Sequence, residues 1–156
     1  MANEKLARFL AHSVELEREA RRCYLQLAGE LKSAGNFEVA DFFARMAEES
    51  NLHLAEVAEL AEGMQLPDYS EDEFDWAGDV PPESTASGDA TPSMSLREAI
   101  LLALVNERAA NKFYAAYATN CGDPETRVIA AQFAADEASH AQQLVARLAR
   151  IQDRVA

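Results

Sequence analysis

Glu137 and His140 stand three residues apart, a spacing that brings two side chains to the same side of a helix. A partial second copy lies upstream. Ala47-Glu-Glu-Ser50-Asn-Leu-His53 and Ala134-Ala-Asp-Glu137-Ala-Ser-His140 share the form Ala-x-x-(Ser or Glu)-x-x-His. Two further carboxylates, Glu17 and Glu107, open a different shared pattern. Residues 17 to 28 and 107 to 118 both read Glu-x-x-Ala-x-x-x-Tyr-x-x-x-Ala. Carboxylates and imidazoles in this mixture are ligands for a hard or borderline cation. Oxygen-rich ligation with one imidazole per metal suits iron or manganese. Zinc favours more nitrogen or sulfur and fewer bridging carboxylates.

Each residue alone also has a plain reading. A lone Glu-x-x-His pair is common by chance, and a single buried Glu is more often hydrogen-bonded to a Tyr. Position decides between the readings. The first predicted helix, about 3–33, has an apolar seam of Leu6, Leu10, Ser13, Glu17, Ala20, Tyr24, Leu27 and Leu31, in steps of four and three. The second, about 37–62, carries Ala40, Phe43, Ala47, Ser50, His53, Val57 and Leu60. The third, about 95–121, carries Leu96, Ile100, Ala103, Glu107, Ala110, Tyr114, Tyr117 and Cys121. The fourth, about 124–152, carries Ala130, Ala134, Glu137, His140, Leu144, Leu148 and Ile151. All five candidate ligands fall on seams, while Lys and Arg fall on other faces. A carboxylate buried without a partner is costly, so these must be protonated, paired or bound to metal.

The ends of the helices have local signals. Gly35, Gly63 and Gly122 are expected to stop the first three. Asn36 is a candidate N-cap, Ser95-Leu-Arg-Glu98 reads as a capping box, and Asp123-Pro124 supplies an N-cap with proline at the first helical position. Residues 64–94 differ in composition. They hold Pro67, Pro81, Pro82, Pro92, the acidic run Glu71-Asp72-Glu73 and a Ser/Thr/Gly stretch, which reads as a loop. Phe74 and Trp76 are expected to pin it to the surface. At roughly 3.3 Å per residue it could run the length of a bundle. Two short turns and one long connection predict a single-domain, all-α, ferritin-like four-helix bundle with a crossover between its second and third helices. The first and third helices map onto each other with an offset of 90, the second and fourth with an offset of 87. A duplicated two-helix unit would give a pseudo-symmetric bundle.

Composition narrows the function classes. The chain has 156 residues, 49% of them hydrophobic, and a net charge of -13 from 27 acidic and 14 basic residues. Such a charge repels phosphate backbones and anionic membrane surfaces, so neither nucleic acid nor membrane is an expected partner. Neither a transmembrane run nor a signal peptide is read in the sequence, and a cytoplasmic location is expected. Cys23 and Cys121 make no Cys-x-x-Cys pair and read as small buried hydrophobes. His12 falls off the first seam and reads as solvated. Met46 and Met64 read as packing residues.

At the patterns quoted above, the sequence resembles the rubrerythrin branch of the ferritin-like superfamily. The resemblance covers about residues 3–62 and 95–152. It implies two iron ions, or iron and manganese, held by Glu17, His53, Glu107, Glu137 and His140. It implies supporting roles for Tyr24 and Tyr114, whose hydroxyls could bond to ligand carboxylates. It also implies an oxidoreductase of oxidative-stress type acting on peroxide or O₂, an external electron-donor protein, and a homodimer.

Two departures stand out. Where the family places a bridging Glu, three residues before His53, this chain has Ser50. Glu49 shares a face with His53 and stands as a further candidate, although Asp136, its counterpart on the fourth helix, makes a surface role the favoured reading. No Cys-x-x-Cys pair is present to form a rubredoxin-like domain. Three readings follow: a di-iron peroxidase or ferroxidase, a non-catalytic iron-binding bundle in which Ser50 marks a degenerate site, and a metal-free helical module with Glu–Tyr pairs.

Overall fold

A computed structural model describes residues 3–68 and 91–155. Four helices make up the described chain: α1 (Glu4–Ser33), α2 (Phe37–Leu60), α3 (Leu96–Asn120) and α4 (Pro124–Val155). Their bounds fall within a few residues of those read from the sequence, and no strand occurs among the described residues. Phe74, Trp76 and the acidic run at 71–73 lie outside the described residues.

The caps follow the side chains. Asn3 caps α1 by accepting from the Leu6 backbone N–H at 3.1 Å. Gly35 adopts φ 82, the Asn36 N–H reaches the Leu31 carbonyl at 2.8 Å, and the Gly35 N–H reaches Lys32 at 3.0 Å. That paired closure at a left-handed glycine ends α1 and turns the chain into α2. Ser95 caps α3 through the Glu98 N–H at 3.1 Å, and Asp123 caps α4 through the Thr126 N–H at 3.0 Å. Gly122 does not stop α3 by a left-handed turn. The helix closes at Cys121, whose backbone is extended (φ -71, ψ 134).

Asn36 occupies the N-cap of α2, but its side chain makes no cap bond. It donates instead to the carbonyls of Met94, at 2.8 Å, and Pro92, at 3.3 Å. This contact defines the topology, because the start of α2 and the start of α3 lie at one end. Asn3 donates to Asp123 at 2.8 Å, so α1 and α4 both start at the opposite end. The order is therefore up-down-down-up. With 24 residues, α2 is about 36 Å long at 1.5 Å per residue, and the connection from Leu60 to Leu96 must cover that distance. The crossover expected from the sequence is thus required by the helix directions.

The apolar core divides into two clusters. One contains Tyr24, Leu27, Leu31, Phe43, Met46, Ile100 and Leu144. The other contains Phe9, Leu10, Leu16, Val57, Tyr114, Ala130 and Phe133. Along every helix the boundary between the clusters falls at the same level: near Glu17, between Ser50 and His53, at Glu107, and between Glu137 and His140. The polar seam residues form a layer across mid-bundle.

His12 corrects the sequence reading. It is fully buried, with Nδ1 at 2.8 Å from the Arg8 carbonyl and its ring stacked 6.3 Å from Phe113. A histidine one position from the seam still lies under the facing helix, and the carbonyl four residues back satisfies one of its nitrogens. Cys23 is buried, whereas Cys121 is only half-buried.

Candidate metal centre

Each helix brings its part of the polar layer from a different direction. Glu17 on α1 is 2% exposed, Glu107 on α3 is 4% exposed, and Glu137 on α4 is 1% exposed. His53 on α2 and His140 on α4 are half-buried, and their rings stack face to face with centroids 4.9 Å apart and 17° between planes. His53 Nδ1 lies 3.1 Å from Glu17 Oε1 and 3.3 Å from Glu137 Oε1. His140 Nδ1 lies 3.8 Å from Glu107 Oε2 and 3.9 Å from Glu137 Oε2. Glu137 therefore spans the two imidazoles, one oxygen toward each.

The chemistry of the donors suits a cation. Glu107 Oε2 and Glu137 Oε2 are buried and accept no hydrogen bond. A buried carboxylate oxygen without a donor is expensive, and a cation between such oxygens would offset that cost. Two groups of donor atoms lie within 4.8 Å of one another: His53, Glu137 and His140; and Glu49, Glu107 and His140.

Titration of the metal-free cluster reflects the crowding. Burial raises the Glu17 carboxyl, against the lowering effect of its bond to His53. Burial, helped by Glu137 beside it, raises Glu107 to about 8. Burial alone would depress His53, but its contacts with Glu137 and Glu17 outweigh burial and push it up to about 11. His140 is raised chiefly by Glu107. The cluster thus retains protons that a cation would displace.

The tyrosines sit next to this layer. The Tyr114 hydroxyl donates to Glu17 Oε1 at 3.3 Å, crossing from α3 to α1. The Tyr24 hydroxyl accepts from Asn106 Nδ2 at 3.4 Å. Glu49, which the sequence favours as a surface residue, is half-buried and joins the donor group around His140. Burial raises its carboxyl, with His140, Glu107 and His53 acting on it. Ser50 is buried. Beside Glu17, His53 and Glu137 lies a small cleft of about 10 Å³, walled by Val57, Tyr114 and Phe133 and bordered by Glu56 and Asp136.

Asn106 escaped the sequence reading. It is fully buried one residue before Glu107, where the repeat has Leu16. A polar side chain at a repeat position that is apolar in the other copy was the available signal.

The chain matches the rubrerythrin family model over residues 8–149. It belongs to the rubrerythrin family. A structure solved at 2.00 Å, that of an uncharacterised conserved protein from Magnetospirillum magnetotacticum MS-1, superposes with a TM-score of 0.71 at 33% identity, covering 92% of this chain and 93% of that one. No curated protein matches the chain. Membership in the rubrerythrin family makes this a ferritin-like bundle of an iron-binding type, and its carboxylate and histidine groups are the ones that could bind metal. No helix among the described residues is long and apolar enough to cross a membrane.

Proposed function

We propose that this rubrerythrin-family chain is a non-haem di-iron oxidoreductase that reduces peroxide or oxidises Fe(II), with Glu17, His53, Glu107, Glu137 and His140 as metal ligands. The observation that carries the reading is the pair of buried, donorless oxygens, Glu107 Oε2 and Glu137 Oε2, inside a cluster drawn from all four helices. In a metal-free module those two oxygens would depend on protons retained by the carboxyls, which a bound cation would replace. Family membership supports the same reading.

Bound iron would supply electrons by cycling between Fe(II) and Fe(III). Two electrons and two protons convert one hydrogen peroxide into two waters. The residues of the chain serve that chemistry in distinct ways. Glu137, turned toward both imidazoles, would offer one oxygen beside each of them as a metal ligand. Tyr114 fixes the orientation of Glu17 through its hydroxyl, which tunes the ligand without touching the metal. Val57 and Phe133 make one wall of the cleft apolar, while Glu56 and Asp136 line its border with carboxylates that can carry protons from solvent. At about 10 Å³ that cleft has room for one water-sized molecule, and peroxide or O₂ would have to widen it to enter. Metal loading would compete with protons on His53 and His140, because contacts with neighbouring glutamates raise both imidazoles. Electrons would come from a separate donor protein, and the acidic surface favours one with a basic face.

Ser50 favours a second reading, a non-catalytic iron-binding bundle. The two readings separate when protein purified without chelator is analysed for metal, reloaded anaerobically with Fe(II) and mixed with hydrogen peroxide. Two iron equivalents and stoichiometric peroxide consumption support the oxidoreductase. Iron retained without peroxide consumption favours the binding protein. Absence of metal affinity would refute both.

A further inference from the structure

We propose that Glu49 supplies the carboxylate of α2 to a second metal position, with Glu107 and His140, in the place that Ser50 leaves without one. The inference rests on the metal-centre reading above. It concerns where the second cation sits and what makes the two positions unequal.

Successive residues on a helix are rotated by about 100°, so Glu49 and Ser50 flank the direction of His53 on opposite sides. The residue three before a histidine on α4 is Glu137, which reaches toward both imidazoles. On α2 the matching residue is Ser50, with too short a side chain and no charge. Glu49 comes from the other flank. Its carboxylate meets donor atoms of Glu107 and His140 within 4.8 Å. Glu107 presents there a buried oxygen, Oε2, that accepts no hydrogen bond and lies 3.8 Å from His140 Nδ1. That orphaned acceptor is what separates this group from an ordinary acidic cluster. One buried glutamate, one half-buried glutamate and one imidazole make a three-donor set suited to a divalent first-row cation. His53 and Glu137, with Glu17 beside His53, then form the other position, and His140 lies within reach of both.

The internal repeat provides a control. Asp136 occupies the place on α4 that Glu49 occupies on α2, with the same offset of 87. It borders the cleft near Glu17 and His53, yet belongs to neither close donor group. One methylene shorter than Glu49, it does not complete a ligand set. The pseudo-symmetric bundle therefore holds an asymmetric site, one position with α2 supplying histidine and the other with α2 supplying Glu49.

The test is an anaerobic titration of the full chain with Co(II), followed by absorption in the visible ligand-field region and by equilibrium dialysis. Wild type should bind two ions in two resolvable steps. Glu49→Ala should keep the first step and weaken the second by more than about 100-fold, beyond the range expected for losing an outer hydrogen-bonding partner. Asp136→Ala and Ser50→Ala should still bind two. Glu49 is only half-buried, so circular dichroism should show Glu49→Ala folded as wild type. Two ions in Glu49→Ala with both steps intact would overturn this inference and leave the metal-centre reading standing. One ion in wild type, or equal losses in Asp136→Ala and Glu49→Ala, would do the same. No ion in wild type would overturn the metal-centre reading, and this inference with it.

Discussion

At the residue scale, Glu137 and Ser50 carry the most contrast. Glu137 is 1% exposed and points one oxygen at each imidazole, so Glu137→Ala should remove a shared donor from both positions. Iron content should fall much further than in any variant of a residue facing a single position, measured by metal analysis after gel filtration. Ser50→Glu should tighten metal binding or raise peroxide turnover, because it restores the second Glu-x-x-His. Unchanged iron content and turnover in Ser50→Glu would count against a bridging place at position 50. Tyr114→Phe removes one hydroxyl bond to Glu17 and leaves the aromatic packing with Phe9 and Phe133. It should bind iron at nearly wild-type stoichiometry while turnover slows, and a matching loss of iron would instead make the hydroxyl essential to the site. Much of the candidate site is legible in the sequence, because carboxylates and imidazoles on apolar seams violate the pattern that buries them. Glu49 and His12 depart from the sequence reading for one physical reason. A seam is a line, whereas the buried face of a bundle helix is a band roughly a third of its circumference wide. Residues one position off the line are still covered, and only the facing helix determines which ones.

At the scale of elements, the ends of the helices are where short sequence signals match the structure best. Gly35 at φ 82 illustrates the physics. A Cβ built there meets nothing within 4 Å, so the cost of Gly35→Ala is backbone strain alone. That cost is roughly 1–2 kcal/mol, and the melting temperature should drop by a few degrees, about 2–8 °C, with metal content unchanged. A larger fall with loss of metal would mean that the α1–α2 turn also sets the position of His53. Asp123 provides a pH test. Bonds from the Thr126 hydroxyl, the Asn3 amide and the Thr126 N–H hold its carboxyl below the ordinary aspartate value. A lowered folded value means that the stabilisation is present above the unfolded pKa and is lost as pH falls through the folded one. Wild type should therefore outlast Asp123→Asn in thermal melts at neutral pH, and the gap should close in acid. Asn36 marks the limit of such signals. It does occupy the N-cap, but its amide bonds to Met94 and Pro92, a tertiary contact between segments more than fifty residues apart. No local rule anticipates that use.

For the whole molecule, the split of the core into two apolar clusters by one charged layer has a thermodynamic consequence. Hydrophobic burial holds each cluster together, yet the layer between them carries glutamates that burial and mutual repulsion disfavour as anions. Positive charge offsets that cost, and a bound metal would supply it in place of the protons the cluster retains. Cations bound to the folded state and not to the unfolded chain stabilise by mass action, about 2.7 kcal/mol when the free metal is a hundredfold above its dissociation constant. Metal-loaded protein should therefore melt several degrees higher than protein stripped with chelator, and calorimetry at a series of free Fe(II) or Co(II) concentrations should show the melting temperature rising with the logarithm of concentration. The same scale bears on assembly. Val105, Val128, Leu52 and Phe37 are apolar and more than 60% exposed, and resemblance to the family points to a homodimer. Sedimentation over a range of concentrations should find a species of twice 17.1 kDa, and a monomer throughout would rule the dimer out. The two measurements inform each other. Dimerisation adds a protein-concentration dependence to the melting temperature, whereas metal adds a metal-concentration dependence, so varying them separately assigns the stabilisation either to the charged layer or to the apolar surface. If chelation lowers the melting temperature at every protein concentration by the same amount, the metal acts inside each bundle, as a site in the layer between the two core clusters would require.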